Sequence, residues 1–148
     1  MSPHNSGIMS ARPQMTADIA FQTGLDEAAL SDLVHIFYGK VRKDPVLGPI
    51  FESRVEDWDA HLLRMIDFWS SVALMTGRYH GAPVPAHAEL PIEWKHFERW
   101  LTLFSAAAAE TCTPEGTRHV VKRARQIAGS LHRTIERRAA SNCATPGL

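Results

Sequence analysis

Wherever this chain is patterned, its apolar residues recur at three- and four-residue spacing, and no stretch alternates apolar with polar. A run over about 26–43 puts Leu30, Leu33, Val34, Phe37, Tyr38 and Val41 on one helical face. A second, over about 54–76, aligns Trp58, His61, Leu62, Met65, Trp69 and Val72. A third, over about 91–110, carries Phe97, Trp100, Leu101, Phe104 and Ala108, and a fourth, over about 114–138, carries Val120, Val121, Ala124, Ile127, Ala128, Leu131 and Ile135. A chain with this periodicity can bury its apolar surface only by packing helix on helix, so an all-α domain is expected.

Punctuation residues divide the helices. Asp44-Pro45 breaks the first and can open a short one, PVLGPIF, because proline suits a first helical position. Ser53 and Glu56 match a capping box and predict a helix start at Arg54. Gly77 is placed to end that helix, and GRYHGAPVP reads as a turn-rich link. Thr113-Pro114-Glu115 supplies a capping hydroxyl, a proline and an acid at the positive end of the helix dipole. Residues 1–22 lack periodicity and read as a flexible tail, 23–138 as the folded domain, and 139–148 as a frayed end.

Composition narrows the class of protein. The 148 residues suffice for one sizeable core and carry no formal net charge, so nothing in the balance draws the chain to nucleic acid or an anionic membrane. No apolar run approaches the roughly 18 residues of a membrane span, and the first residues lack the pattern of a secretory signal. Cys112 and Cys143 are too few for a disulfide scaffold and form no CxxC pair, so a soluble protein of a reducing, cytoplasmic compartment is expected.

One side chain stands out chemically. His87 lies in PVPAHAELP, where Pro83, Pro85 and Pro91 fix three backbone angles within nine residues. A stiffly carried imidazole suits ligation of a fixed atom, and histidine serves both as a common metal ligand and as an axial ligand of haem iron. Taken singly, His61, Tyr38 and Trp100 read first as core residues whose polar atoms are satisfied locally.

Their order changes that reading. FYGKVRKDPVLGPIF, WDAHLLRMIDFW, GRYHGAPVPAH and HFERWLTLF, taken in sequence, resemble the group III truncated haemoglobins over about residues 25–138. The resemblance implies a shortened globin fold, a two-on-two helical sandwich around a non-covalent haem b. It implies that His87 is the proximal iron ligand, with its second ring nitrogen held by a carbonyl or carboxylate. Glu89 is a nearby candidate for that role, although taken alone it reads first as a solvated surface acid. Tyr38, His61 and Trp100 match the family's distal polar positions, facing a diatomic ligand such as O2, NO or CO.

The chemistry agrees with those roles. A bound dioxygen acquires partial negative charge, so hydroxyl, indole and imidazole donors stabilise it, whereas carbon monoxide gains less. Met65, one turn after His61, would fill the apolar part of the distal pocket. Phe51 resembles the family's stacking aromatic, and Phe37 and Phe97 are expected on or near the porphyrin. Arg64 is expected at the pocket edge, close to a haem propionate, with Tyr79 and His80 as weaker propionate partners. There is no CxxCH for covalent attachment.

Reversible binding of a diatomic gas is the primary expectation. Nitric oxide dioxygenation or peroxidase-like turnover is the alternative and would need a separate reductase, since the chain has no flavin or nicotinamide motif. A zinc or non-haem site on His61, His87 and an acid would leave Tyr38 and Trp100 unused. Arg118, Lys122, Arg123, Arg125, Arg133, Arg137 and Arg138 make the last helix basic, which reads as a solvated face.

Overall fold

The computed structural model describes residues 3–81 and 92–144. Six helices follow one another among them: α1 (Pro3–Thr23), α2 (Glu27–Lys43), α3 (Leu47–Glu52), α4 (Trp58–Leu74), α5 (Trp94–Thr111) and α6 (Pro114–Ala144). The described residues contain no strand. Helices α2 and α4 form one layer and α5 and α6 the other, with α2 packed along α5 and α5 along α6. All six residues of the first predicted stripe are buried, and with Trp69, Ala73, Leu74, Phe104, Ala107, Ala108, Val120 and Ala124 they make the main core. A smaller core of Phe97, Ala128 and Leu131 lies between α5 and α6.

Local chemistry explains where the helices begin and end. The Asp26 carboxylate caps α2 by accepting the Ala29 N–H at 2.8 Å, and Lys40, Arg42 and Lys43 oppose the dipole in the last turn. Asp44 closes α2 through its own N–H, bonded to the Val41 carbonyl. Its Oδ2 accepts the N–H groups of Val46 and Leu47 at 3.0 and 2.9 Å, and its Oδ1 accepts Arg99 Nε from α5 at 2.7 Å. One buried carboxylate therefore turns the α2–α3 corner and ties it to the opposite layer.

The Arg99 guanidinium, helped by the Leu47 and Val46 N–H groups, holds the Asp44 carboxyl below the usual carboxylate range against the opposing effect of desolvation. A carboxyl whose pKa is lowered on folding stabilises the fold above its unfolded value, near 4, and loses that contribution as pH falls through the folded value. Asp44→Asn is accordingly expected to lower the urea midpoint at neutral pH and to flatten its decline below about pH 4. Parallel pH profiles for the wild type and the variant would refute the assignment.

Four boundaries differ from those read in the sequence. The helix expected to start at Arg54 starts at Trp58: Asp57 accepts the Ala60 N–H at 3.2 Å, while the Ser53 hydroxyl donates to the Ile50 carbonyl instead. A carboxylate one residue from the stripe outcompetes the more distant hydroxyl. Helix α4 ends at Met75, which adopts the left-handed conformation (φ 61°) two residues before Gly77 does the same. Helix α5 begins after Glu93, whose N–H donates to His96 Nδ1 at 2.8 Å, and α6 continues to Ala144.

The largest difference lies at the start of the chain. Residues 3–23, read as part of a flexible tail, form α1, which packs on α4 and α6. Thr16 donates its hydroxyl to the Leu74 carbonyl at the end of α4, and Ile19 and Ala20 pack against the core. Only a few apolar positions of α1 are used, and Pro13 sits inside it, so its sequence carries no stripe to read.

Candidate functional site

Between the two layers lies a cavity of about 600 Å³, within the range of sites for one large organic ligand. Helix α2 contributes Tyr38, α4 contributes His61, Arg64, Met65, Phe68 and Trp69, and α5 contributes His96, Phe97 and Trp100. Phe51 of α3 and Ile127, Ala128 and Leu131 of α6 complete much of the wall.

Tyr38, His61, Met65 and Trp100, drawn from three helices, thus face one space. Tyr38 is buried, and desolvation raises its phenol well above the ordinary tyrosine value, so it stays a protonated donor. Its ring meets those of His61 and Phe51 edge-on, with centroids 5.0 and 5.8 Å apart. His61 is half-buried with Nε2 shielded from solvent, held edge-on against both Tyr38 and Trp58. Trp100 stacks on Phe104 at 5.5 Å and 14°, which fixes the plane of its indole at the wall.

Arg64 and Tyr79 also reach the wall, Arg64 as an exposed side chain of the kind expected at a cavity edge. The Tyr79 ring lies edge-on to Phe68 at 5.1 Å, and its N–H donates to Ser71 Oγ at 2.8 Å. Phe37 is placed otherwise than expected. It is absent from the wall and stands one layer behind, touching Tyr38, Trp100 and Phe104 edge-on. Its position in the α2 stripe points it at α5, not at the cavity. His80 is exposed and does not line the cavity. His87 and Glu89 lie outside the described residues, although Tyr79 before that segment and Ile92 after it both line the cavity.

Several wall residues were not singled out from sequence. Ile127, Ala128 and Leu131 belong to an apolar face that reads only as core, Phe68 lies off the stripe read for its helix, and nothing local distinguishes a cavity wall from a packed interior. Arg54 reads in the sequence as the first residue of a helix, and His96 carries no assigned role there. Trp58, behind His61, has its buried Nε1 unpaired, with the Arg42 guanidinium 4.4 Å over its ring.

Two helical layers enclosing a deep, aromatic-walled cavity with a cluster of polar donors define a small globin. The chain belongs to the bacterial-like globin family, which residues 22–133 match. It is 35% identical over 120 residues to a group 3 truncated haemoglobin of Campylobacter jejuni, covering 78% of this chain and 94% of that protein. A crystal structure of the group III truncated haemoglobin from Campylobacter jejuni superposes with a TM-score of 0.71 at 33% identity, covering 75% of this chain and 91% of that one.

The family implies a haem cofactor and the binding of diatomic gases. The residues present suit such a group. Phe51, Phe68, Phe97, Met65 and Leu131 offer apolar and aromatic faces to a flat macrocycle, while Arg54, Arg64 and His96 offer donors to its carboxylates. No helix of the described residues is long and apolar enough to cross a membrane.

Proposed function

We propose that the protein binds dioxygen reversibly, and nitric oxide and carbon monoxide at the same position, at a haem b held by His87. The observation that carries this reading is the convergence of Tyr38, His61, Trp100 and Met65 on one cavity. In the sequence His87 lies between Tyr79 and Ile92, both of which line that cavity. Ile92 follows His87 by five positions, a reach of at most about 18 Å. Haem iron, when bound, supplies the coordination position at which the gas sits.

The side chains divide the work. His87 orients and retains the cofactor. Tyr38 and Trp100 donate hydrogen bonds to a polarised diatomic ligand, and the raised pKa of Tyr38 keeps its proton available. His61 adds a third polar group, kept in place by its ring contacts with Tyr38 and Trp58. Met65 and Phe68 exclude water from the rest of the pocket. Phe51 and Phe97 pack on the macrocycle, Arg64 and Tyr79 serve its carboxylates, and Phe37 acts indirectly by supporting Tyr38 and Trp100.

Hydrogen bonds of this kind contribute about 0.5–1.5 kcal/mol each, or 1.5–3 toward a charged acceptor. Tyr38→Phe and Trp100→Phe are each expected to raise the oxygen dissociation rate by about tenfold, with a smaller effect on carbon monoxide. Stopped-flow measurement of both gases checks this, and unchanged rates in both variants would place the donors elsewhere.

Three donors around one ligand hold oxygen tightly, which favours a second reading over transport. In that reading the protein is a cytoplasmic nitric oxide dioxygenase or peroxidase-like enzyme that draws electrons from a separate reductase. The deciding experiment is the spectrum of the haem-reconstituted ferrous protein with and without oxygen, followed by nitric oxide. An intense Soret band supports the haem reading, and its absence overturns it. Rapid bleaching of the oxygenated form, repeated on adding a reductase, selects the enzyme over the binder.

A further inference from the structure

The chain is neutral overall, yet its charge is segregated. Helix α6 holds seven of the sixteen basic residues and only two of the sixteen acidic ones. Three of those cations, Arg118, Lys122 and Arg125, line an open groove of about 510 Å³ with Ser105 of α5 and with Thr117 and Val121 of α6. Among the described residues Lys122 and Arg125 pair with no carboxylate, and Arg118 has only a long contact of 3.5 Å to exposed Glu115. Unpaired like charges on adjacent turns repel, so the free protein maintains this arrangement at a cost.

The groove also has a particular position. Helices α5 and α6 contribute residues both to the groove and to the cavity, so the two sites share the same pair of helices. Val121 on the groove packs on the main core, and Ser105 follows Phe104. The Phe104 ring stacks on both Trp100 and Trp69, at 5.5 and 4.7 Å, and both of these line the cavity. Phe104, next to groove-lining Ser105 in sequence, thus joins two cavity-wall indoles in one aromatic stack.

We infer that the α5–α6 groove, through Arg118, Lys122 and Arg125, docks the acidic face of a one-electron flavin carrier protein. The inference rests on the haem reading given above. In the step it would serve, the reduced carrier would give up one electron to the ferric iron of a haem held as proposed above, with no bond made or broken. Charge complementarity of this kind acts mainly on the encounter rate and is screened by salt.

The test uses the ferric, haem-reconstituted protein and chemically reduced flavodoxin, an acidic flavin protein, as the probe. Reduction is followed by stopped flow at low and high ionic strength. The double variant Lys122→Glu/Arg125→Glu is expected to lose about tenfold or more in second-order rate at low salt, and the difference should vanish at high salt. Arg137→Glu/Arg138→Glu, an equal charge change on the same helix away from the groove, is expected to lose less than about threefold. Free reduced riboflavin should reduce all three proteins alike, which separates docking from any change at the haem.

Equal losses in both variants, or none in either, overturn the proposal. So does loss of duplex DNA binding in the groove variant with an unchanged reduction rate, which would make the groove a nucleic-acid surface. Absence of a Soret band before any carrier is added refutes the haem reading itself, and the inference then falls with it. A retained band with unaffected rates refutes the groove alone.

Discussion

Exchanging His87 for Ala is expected to yield a folded protein that no longer retains haem through gel filtration. The proposed holoprotein has one protein–iron bond, and the remaining retention comes from apolar packing in the cavity. Removing the imidazole deletes the directional part of that binding and is expected to leave the helices intact, because the two buried clusters among the described residues are built almost wholly from the helices themselves. Far-ultraviolet dichroism should therefore match the wild type while the Soret band is lost on the column. Adding free imidazole should restore a histidine-like spectrum, since it presents the same ligating nitrogen to the iron. A variant that keeps haem with an unchanged five-coordinate histidine spectrum would show that another residue holds the iron.

Phe104→Ala is expected to have the largest effect on stability. Phe104 is 1% exposed and touches Phe37, Trp69 and Trp100, so its ring joins the cavity wall to the main core. Truncating such a residue removes transfer free energy and leaves a void, together about 3–5 kcal/mol. The loss should appear as a lower urea midpoint at constant slope. It should also reach the site: with its stacking partner gone, the Trp100 indole is no longer held in one plane, and oxygen dissociation should accelerate in the folded fraction. A midpoint shift below about 1 kcal/mol would mean that the core closes over the gap.

Much of this was legible beforehand because helices announce themselves locally. A stripe such as Leu30–Val41 encodes both the helix and its buried face, so α2, α4, α5 and α6 were placed to within a few residues at most of their boundaries. The family resemblance likewise marked Tyr38, His61 and Trp100, helical spacing from His61 marked Met65, and all four line the cavity. Start signals were less dependable. Ser53 and Asp57 both offer a capping oxygen, and which one caps α4 depends on how Val55 closes back onto Phe51 in space. Helix α1 escaped because it is held by a few contacts such as Thr16 to Leu74, which no pattern within residues 3–23 reveals.

What the sequence determined by itself is the helical class, the four long helices and the chemical types available for a site. Periodicity and capping act within a few residues, so one dimension suffices to read them. What only the tertiary structure decided is which of those faces enclose empty space. Phe37 and Phe97 carry the same side chain on equally apolar stripes, yet one packs behind the wall and the other forms it. Burial is a property of a single face, whereas a cavity is the failure of several faces to meet. That depends on the relative placement of α2, α4, α5 and α6, which is fixed by long-range contacts such as Asp44–Arg99 and the Trp100–Phe104–Trp69 stack.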